Sequence, residues 1–133
     1  MAEETKILAN KKILWVEDDL FLSGLLGQKF KSLGVQIFGS STGEQALDIA
    51  KGERPDVIIL DLLLPGMSGF EILDQLKSDN RTKEIPVIVL SNLSQSEDIA
   101  KAKRLGAVKF LVKATVSLDD ITVETMKVLE ANQ

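Results

Sequence analysis

Histidine is absent from this chain of 133 residues, and its absence excludes several kinds of chemistry. Without histidine the protein has no Ser-His-Asp triad and no histidine-ligated zinc site, and it carries no phosphohistidine of its own. Cysteine is absent as well, which excludes disulfides and thiolate metal sites and fits a cytoplasmic protein. Any metal site must therefore be built from oxygen ligands.

Long apolar runs are also missing, since none approaches the ~18 residues that a membrane span needs. Residues 1–4 lack the basic start of a secretory signal, so we expect no membrane association. The net charge of −4 argues against direct binding to nucleic acid. The composition, 44% hydrophobic and 27% charged, is typical of one globular domain.

The stretch over residues 55–69 organises the chain. Residues 57–60 are four consecutive β-branched or aliphatic residues between turn formers, which is typical of a fully buried parallel strand. The strand stops at Asp61, and a Pro65-Gly66 turn follows. In a doubly wound sheet the carboxyl end of a central strand is where ligands bind, so Asp61 is a candidate site residue.

Strands and helices alternate along the whole chain. Further strands are predicted over 12–16, 35–38, 85–90 and 108–112, and helices over 20–33, 41–50, 69–77, 94–105 and from 117. Residues 42–45 and 94–97 have the spacing of capping boxes, and residues 117–120 cap the last helix. The alternation predicts a single α/β domain: a parallel sheet with right-handed crossovers and helices on both faces.

Polar groups end four of the five predicted strands: Glu17-Asp18, Asp61, Ser91 and Lys113. Each alone is ordinary, because polar residues resume where strands end, but all four would project into one crevice. Three converging carboxylates repel one another unless a cation joins them, and oxygen-only ligands favour Mg²⁺. A carboxylate nucleophile with a metal, a lysine and a hydroxyl is an acceptor for phosphoryl transfer, forming an acyl phosphate.

From about Lys12 to Ala131 the chain resembles the receiver domains of two-component response regulators, including single-domain, chemotaxis-regulator-like members. The resemblance rests on four segments: ILWVEDD at 13–19, PDVIILDLLLPGMSGF at 55–70, IPVIVLS at 85–91 and GAVKFLVK at 106–113. It implies a doubly wound, flavodoxin-like fold whose five parallel strands lie in the order 2-1-3-4-5. We expect this domain over residues 11–131, preceded by a flexible leader over 1–10.

The resemblance also implies roles for the acidic residues. Asp61 would be the phosphoacceptor. Asp18 would ligate Mg²⁺ together with Asp61 and the backbone carbonyl of Leu63, and Glu17 would hold a metal-bound water. Ser91 would contact the phosphoryl group, and the positive charge of Lys113 would pair with it.

The implied function is a bacterial signalling receiver. A sensor histidine kinase or histidine phosphotransfer protein would dock near the first helix and phosphorylate Asp61. Ser91 would then move inward and Phe110, as the switch aromatic, would follow, altering the face made by the fourth helix, fifth strand and last helix. That face would bind an unidentified downstream protein or a second copy of the chain. The protein would be no turnover enzyme, catalysing only its own phosphorylation and slow dephosphorylation.

Two positions depart from the family pattern. The family usually has proline after the lysine, often with a cis bond, whereas Ala114 stands here, and a cis bond before a non-proline residue costs ~3 kcal/mol. Asn92 follows Ser91 where a smaller residue is common, and it narrows access to the phosphoryl group. These departures favour the alternative of a pseudo-receiver, a protein-binding module that is never phosphorylated.

Two other classes share parts of the pattern. A flavodoxin-like flavin binder needs a phosphate-cradling loop after the first strand, where Glu17-Asp18-Asp19 would repel phosphate. A haloacid-dehalogenase-like phosphatase needs a second acid two residues after its nucleophile, where Leu63 stands. In receivers, Leu63 and Leu93 would flank the path of the hydrolytic water, and neither offers it a hydrogen bond. We therefore expect a long-lived phosphoryl group.

Overall fold

The computed structural model of the protein describes residues 6–132. Five strands and five longer helices alternate along the chain. The strands are β1 (Lys12–Val16), β2 (Gln36–Ser40), β3 (Val57–Leu60), β4 (Val87–Ser91) and β5 (Lys109–Val112). The helices are α1 (Leu20–Ser32), α2 (Gly43–Glu53), α3 (Gly69–Ser78), α4 (Ser96–Arg104) and α5 (Leu118–Ala131), with a 3₁₀ turn at Lys113–Thr115.

The strands form one parallel sheet in the order β2-β1-β3-β4-β5, which confirms the predicted doubly wound fold. Its register aligns the carboxyl ends of the strands. Val16 lies opposite Leu60, Leu60 opposite Val89, and Ser91 opposite Val112. The residues that follow β1, β3 and β5 therefore meet at one edge of the sheet, which we call the carboxyl edge.

Helices cover both faces of the sheet, because alternate residues of each strand point to opposite sides. Ile58 and Leu60 belong to the cluster of buried residues that also includes residues of α2, α3 and α4. Val57 and Ile59 belong to the second cluster, with residues of α1 and α5. All four residues of β3 are fully buried, as their unbroken apolar run predicted.

Helix starts differ in how well the sequence predicted them. The cap predicted at 117–120 is confirmed and forms a full capping box, because Ser117 Oγ accepts the Asp120 N–H at 3.0 Å and Asp120 accepts the Ser117 N–H at 2.9 Å. The box predicted at 94–97 is wrong: α4 begins one residue later than its spacing requires, and its cap, Gln95, makes no side-chain cap bond. Of the capping box predicted at 42–45, only one half forms: Thr42 caps α2 by accepting the Gln45 N–H at 3.3 Å.

Part of the predicted flexible leader packs against the domain. The Leu8 side chain is fully buried in the cluster beneath α1 and α5, and the Asn10 N–H donates to the Gly34 carbonyl at 2.9 Å. Ile7, next to Leu8, is half-buried against the same cluster, so two neighbouring apolar side chains connect this segment to the core. Residues 1–5 lie outside the described residues. No helix of the described part is long and apolar enough to cross a membrane.

Candidate active site

The carboxyl edge brings together the acids that end β1 and β3. One oxygen from each of Glu17, Asp18 and Asp61 lies within 4.8 Å of the other two. Glu17 is 3% exposed and Asp61 4% exposed, whereas Asp18 reaches solvent. The three predicted acids therefore form one cluster, open on the side of Asp18.

Lys113 closes the cluster from the end of β5. Its Nζ donates to Asp61 Oδ2 at 2.8 Å and lies 2.5 Å from Glu17 Oε1. When all groups are ionised, three carboxylates face this one ammonium, so two negative charges remain uncompensated. A divalent cation would balance that charge, and its ligands here would all be oxygens.

The pKa values of the buried partners reflect this crowding. Burial raises the pKa of the Glu17 carboxyl, and the charge of Asp61 adds to the increase, while the hydrogen bond from Lys113 opposes it. Burial alone would lower the pKa of the Lys113 ammonium, but its hydrogen bonds to Asp61 and Glu17 outweigh that effect and raise it. Lys113 therefore stays charged across the physiological range.

Asp19 organises the turn that carries the acids, a role that the sequence analysis missed. Its Oδ1 accepts the N–H groups of Phe21 at 3.0 Å and Leu22 at 3.1 Å, which caps α1. Its own N–H donates to Glu17 Oε2 at 3.1 Å. An aspartate directly before the first helical residue is a cap signal, so this role was available from the sequence.

The loop after Asp61 is held tightly against it. The Leu63 N–H donates to Asp61 Oδ1 at 3.1 Å, and the Gly69 N–H donates to the Leu62 carbonyl at 3.0 Å. A Cβ at position 69 would lie 2.3 Å from the Asp61 carbonyl oxygen and 2.4 Å from Leu62 Cα. Only glycine fits there, because its backbone lies against the backbone of the candidate nucleophile.

Ser91 and Phe110 lie on β4 and β5, which pair with each other in the sheet. Ser91 is fully buried, and its Oγ accepts the Leu93 N–H at 3.4 Å. Phe110 is half-buried against the cluster beneath α2, α3 and α4, and it lies opposite Val89, two residues before Ser91. The described residues contain no cis peptide bond, so the Lys113–Ala114 bond is trans and opens the 3₁₀ turn.

Sequence comparisons relate the chain to known proteins. A family profile described as "Response regulator receiver domain" matches residues 13–124. The chain is 37% identical over 122 residues to "Sporulation initiation phosphotransferase F" of Bacillus subtilis, covering 92% of this chain and 96% of that protein. It is 37% identical over 115 residues to "Regulator of RpoS" of Escherichia coli, covering 86% of this chain but 34% of that longer protein.

A solved structure gives the same result for the fold. The receiver domain of the Francisella response regulator 1452 superposes with a TM-score of 0.85 at 26% identity, over 93% of this chain and all of that one. The profile covers well over half of the chain, and the first relative is matched over almost its whole length. The chain belongs to the response regulator receiver domain family of two-component signalling.

Proposed function

We propose that Asp61 accepts a phosphoryl group from a phosphohistidine carried by a sensor histidine kinase or a histidine phosphotransfer protein. The single observation that carries this proposal is the meeting of Glu17, Asp18 and Asp61 with the ammonium of Lys113. The similarity to "Sporulation initiation phosphotransferase F" of Bacillus subtilis supports the same reaction class.

The reaction transfers the phosphoryl group without an added reductant or oxidant. A carboxylate oxygen of Asp61 forms a bond to phosphorus, the nitrogen–phosphorus bond of the donor breaks, and the imidazole nitrogen keeps the electron pair. Lys113, already bonded to Asp61 Oδ2, is placed to neutralise charge on the phosphoryl oxygens. The Ser91 hydroxyl would donate to one of them.

The acidic cluster fits Mg²⁺. Its donors are carboxylate oxygens with surplus negative charge, and neither histidine nor cysteine is available to favour a softer metal. Asp18, Asp61 and the carbonyl of Leu63 would hold the ion, with Glu17 acting through a bound water. When bound, Mg²⁺ supplies positive charge that stabilises the transferring phosphoryl group.

The donor has to approach over the amino end of α1. Asp61 is 4% exposed, so a phosphohistidine reaches it only if its carrier covers the rim of the cleft. Leu20 and Phe21, on the first turn of α1, are 83% and 77% exposed. Exposed apolar residues beside a reactive cleft mark an interaction surface, so this turn is the proposed docking site.

Phosphorylation would act on the neighbouring face through Ser91 and Phe110. The new charge of about −2 attracts the Ser91 hydroxyl, and Phe110 follows into the space that it leaves. The face made by α4, β5 and α5 then changes its affinity for a downstream protein or for a second copy of the chain. The protein acts in the cytoplasm as a signalling component that turns over no other substrate.

The lifetime of the phosphoryl group is a separate proposal. Leu63 and Leu93 give an attacking water no hydrogen bond, so the acyl phosphate should persist. Loss of the phosphoryl group within seconds of removing the donor would refute this. The variant Leu63→Asn should shorten the lifetime if the apolar side chain is the cause.

The test of the proposed function is reaction with a small phosphodonor, with and without Mg²⁺. We expect the wild type to be modified only with Mg²⁺ and the variant Asp61→Asn not at all. A folded wild type that stays unmodified under every condition would instead favour the pseudo-receiver, for which Asn92 and Ala114 are the supporting departures. Phosphomonoesterase turnover, or a spectral shift on adding FMN, would indicate the other two classes.

A further inference from the structure

Helix α4 is weakly anchored compared with the other helices of the described chain. Ala102 is its one buried residue, and its cap, Gln95, makes no side-chain bond. The other four helices each have a side-chain cap, from Asp19, Thr42, Ser68 and Ser117. A helix held by one small buried side chain is easily displaced, so any further contact of α4 matters for its position.

One such contact is a cation–π pair with α3. The Lys101 ammonium lies 4.4 Å from the centre of the Phe70 ring, within the distance at which such pairs attract. Phe70 is the second residue of α3 and packs half-buried against the cluster that contains Ala102. The pair therefore adds a second point of attachment for α4, beside Ala102.

Phe70 is in turn tied to the candidate nucleophile. Gly69 precedes it, and its backbone lies so close to the Asp61 carbonyl and Leu62 that no side chain fits between them. The hydrogen bond from Gly69 to Leu62 fixes the same contact. A displacement of the Asp61–Leu62 backbone therefore moves Phe70 as well. This connection reaches α4 without passing through Ser91 or Phe110.

We propose that the Lys101–Phe70 pair is a clamp that holds α4 in its unphosphorylated position and couples that position to Asp61. The inference rests on the proposed function, because it treats phosphorylation as the event that displaces α4. The clamp is closed where both carboxylate oxygens of Asp61 accept hydrogen bonds from within the chain, from Leu63 and from Lys113, and it weakens when bonding of the carboxylate to a phosphoryl group moves the Asp61 loop. Because coupling is reciprocal, loss of the clamp should make Asp61 bind a phosphoryl mimic more tightly.

The test uses the full chain with beryllofluoride and Mg²⁺ as the phosphoryl mimic. In Lys101→Gln we expect roughly two- to fivefold faster amide exchange over residues 96–104 and roughly two- to fivefold tighter mimic binding, the size that an exposed cation–π pair supplies. Lys101→Arg keeps the cation and should behave as the wild type. The matched control is Lys103→Gln, which removes the same charge from an exposed position on the same helix.

A double-mutant cycle separates the clamp from a general loss of charge. Phe70→Leu should reproduce both effects of Lys101→Gln, and the double variant should add nothing further. The clamp is refuted if Lys101→Gln matches Lys103→Gln, or if α4 exchanges faster while mimic affinity stays unchanged. If the wild type binds no mimic at all, the proposed role of Asp61 fails and the coupling fails with it.

Discussion

One half-buried lysine lies at the carboxyl edge of the sheet and another at its amino edge, the side on which the strands begin. The two have opposite surroundings. At the carboxyl edge Lys113 contacts the carboxylates of Asp61 and Glu17. At the amino edge Lys77 donates to the neutral carbonyls of Lys83 at 3.1 Å and Ile85 at 2.7 Å. Contacts with carboxylates raise the pKa of the first ammonium, whereas burial lowers the pKa of the second.

The difference separates a structural site from a reactive one. Lys77 connects α3 to the segment before β4 by these two hydrogen bonds, and its aliphatic stem fills the space over Gly106. Lys113 contacts two of the three clustered acids, so the carboxyl edge keeps negative charge that no cation in the described part of the chain compensates. A surplus of charge, rather than the burial of a charged side chain, distinguishes the edge at which we propose that a cation binds and Asp61 reacts.

The largest effect should come from replacing the two lysines. Lys113→Met removes the ammonium at Asp61 Oδ2, and we expect phosphorylation by a small phosphodonor to slow by about 10²-fold, as when other charge-stabilising groups are removed. Lys77→Met should lower the melting temperature but leave the phosphorylation rate unchanged. Equal losses of rate in the two variants would erase the distinction between the two edges.

The next effect concerns the packing behind Asp61. Gly69→Ala places a methyl group against the Asp61 and Leu62 backbone, and we expect the free energy of unfolding to fall by about 2–3 kcal/mol. Gly24→Ala is the matched change in α1, where a Cβ meets nothing within 4 Å, and it should stabilise the protein by about 0.5–1 kcal/mol. Denaturant unfolding measures both, and a tolerated Gly69→Ala would contradict the close packing.

Much of the carboxyl edge could be predicted from the sequence. Unbroken apolar strands ending in Asp61, Ser91 and Lys113 show where polar groups resume, and parallel pairing then brings those ends together. The pairing of Lys113 with both Asp61 and Glu17 could not be predicted, because it depends on side-chain conformations over three strands. The burial of Leu8 was missed because the short apolar run at Ile7-Leu8 is too brief to show a period.

The amino edge was less predictable for a related reason. Lys77 looks like an exposed residue at the end of an amphipathic helix, and only the folded chain shows its ammonium bonded to two carbonyls. At the carboxyl edge, where α4 begins, the capping box predicted at 94–97 failed because spacing alone does not show where a helix starts. The true cap, Gln95, has no side-chain bond, which leaves α4 the most weakly held of the five longer helices.

A smaller effect should distinguish the exposed apolar residues of the two edges. Phe21→Ala should slow phosphoryl transfer from a phosphorylated histidine phosphotransfer protein by about tenfold, the loss typical of a central aromatic in an interface. Reaction with a small phosphodonor should not change, because Phe21 contacts only the carrier. Val108→Ala, at a 50% exposed residue before β5, is the control and should affect neither reaction.

The smallest effect is a pH-dependent one at Glu124 of α5, which contacts Lys109 of β5. Hydrogen bonds from Lys109 and Lys127 lower the pKa of Glu124 in the folded protein. This stabilisation is present above the unfolded pKa and is lost as the pH falls through the lowered folded value. Glu124→Gln should therefore cost about 0.5 kcal/mol at pH 7, reduced by solvent screening, and the cost should vanish in acid. A loss of stability in Glu124→Gln that grows as the pH falls would contradict the lowered pKa of Glu124.

The most direct test of the surplus charge at the carboxyl edge is a calorimetric titration with Mg²⁺. We expect the wild type to bind one ion and Asp18→Asn, which changes an exposed member of the cluster, to weaken binding by about tenfold or more. Asp56→Asn, beside Lys12 at the amino edge, should bind as the wild type does. An absence of saturable binding, or equal affinity in wild type and Asp18→Asn, would contradict the account.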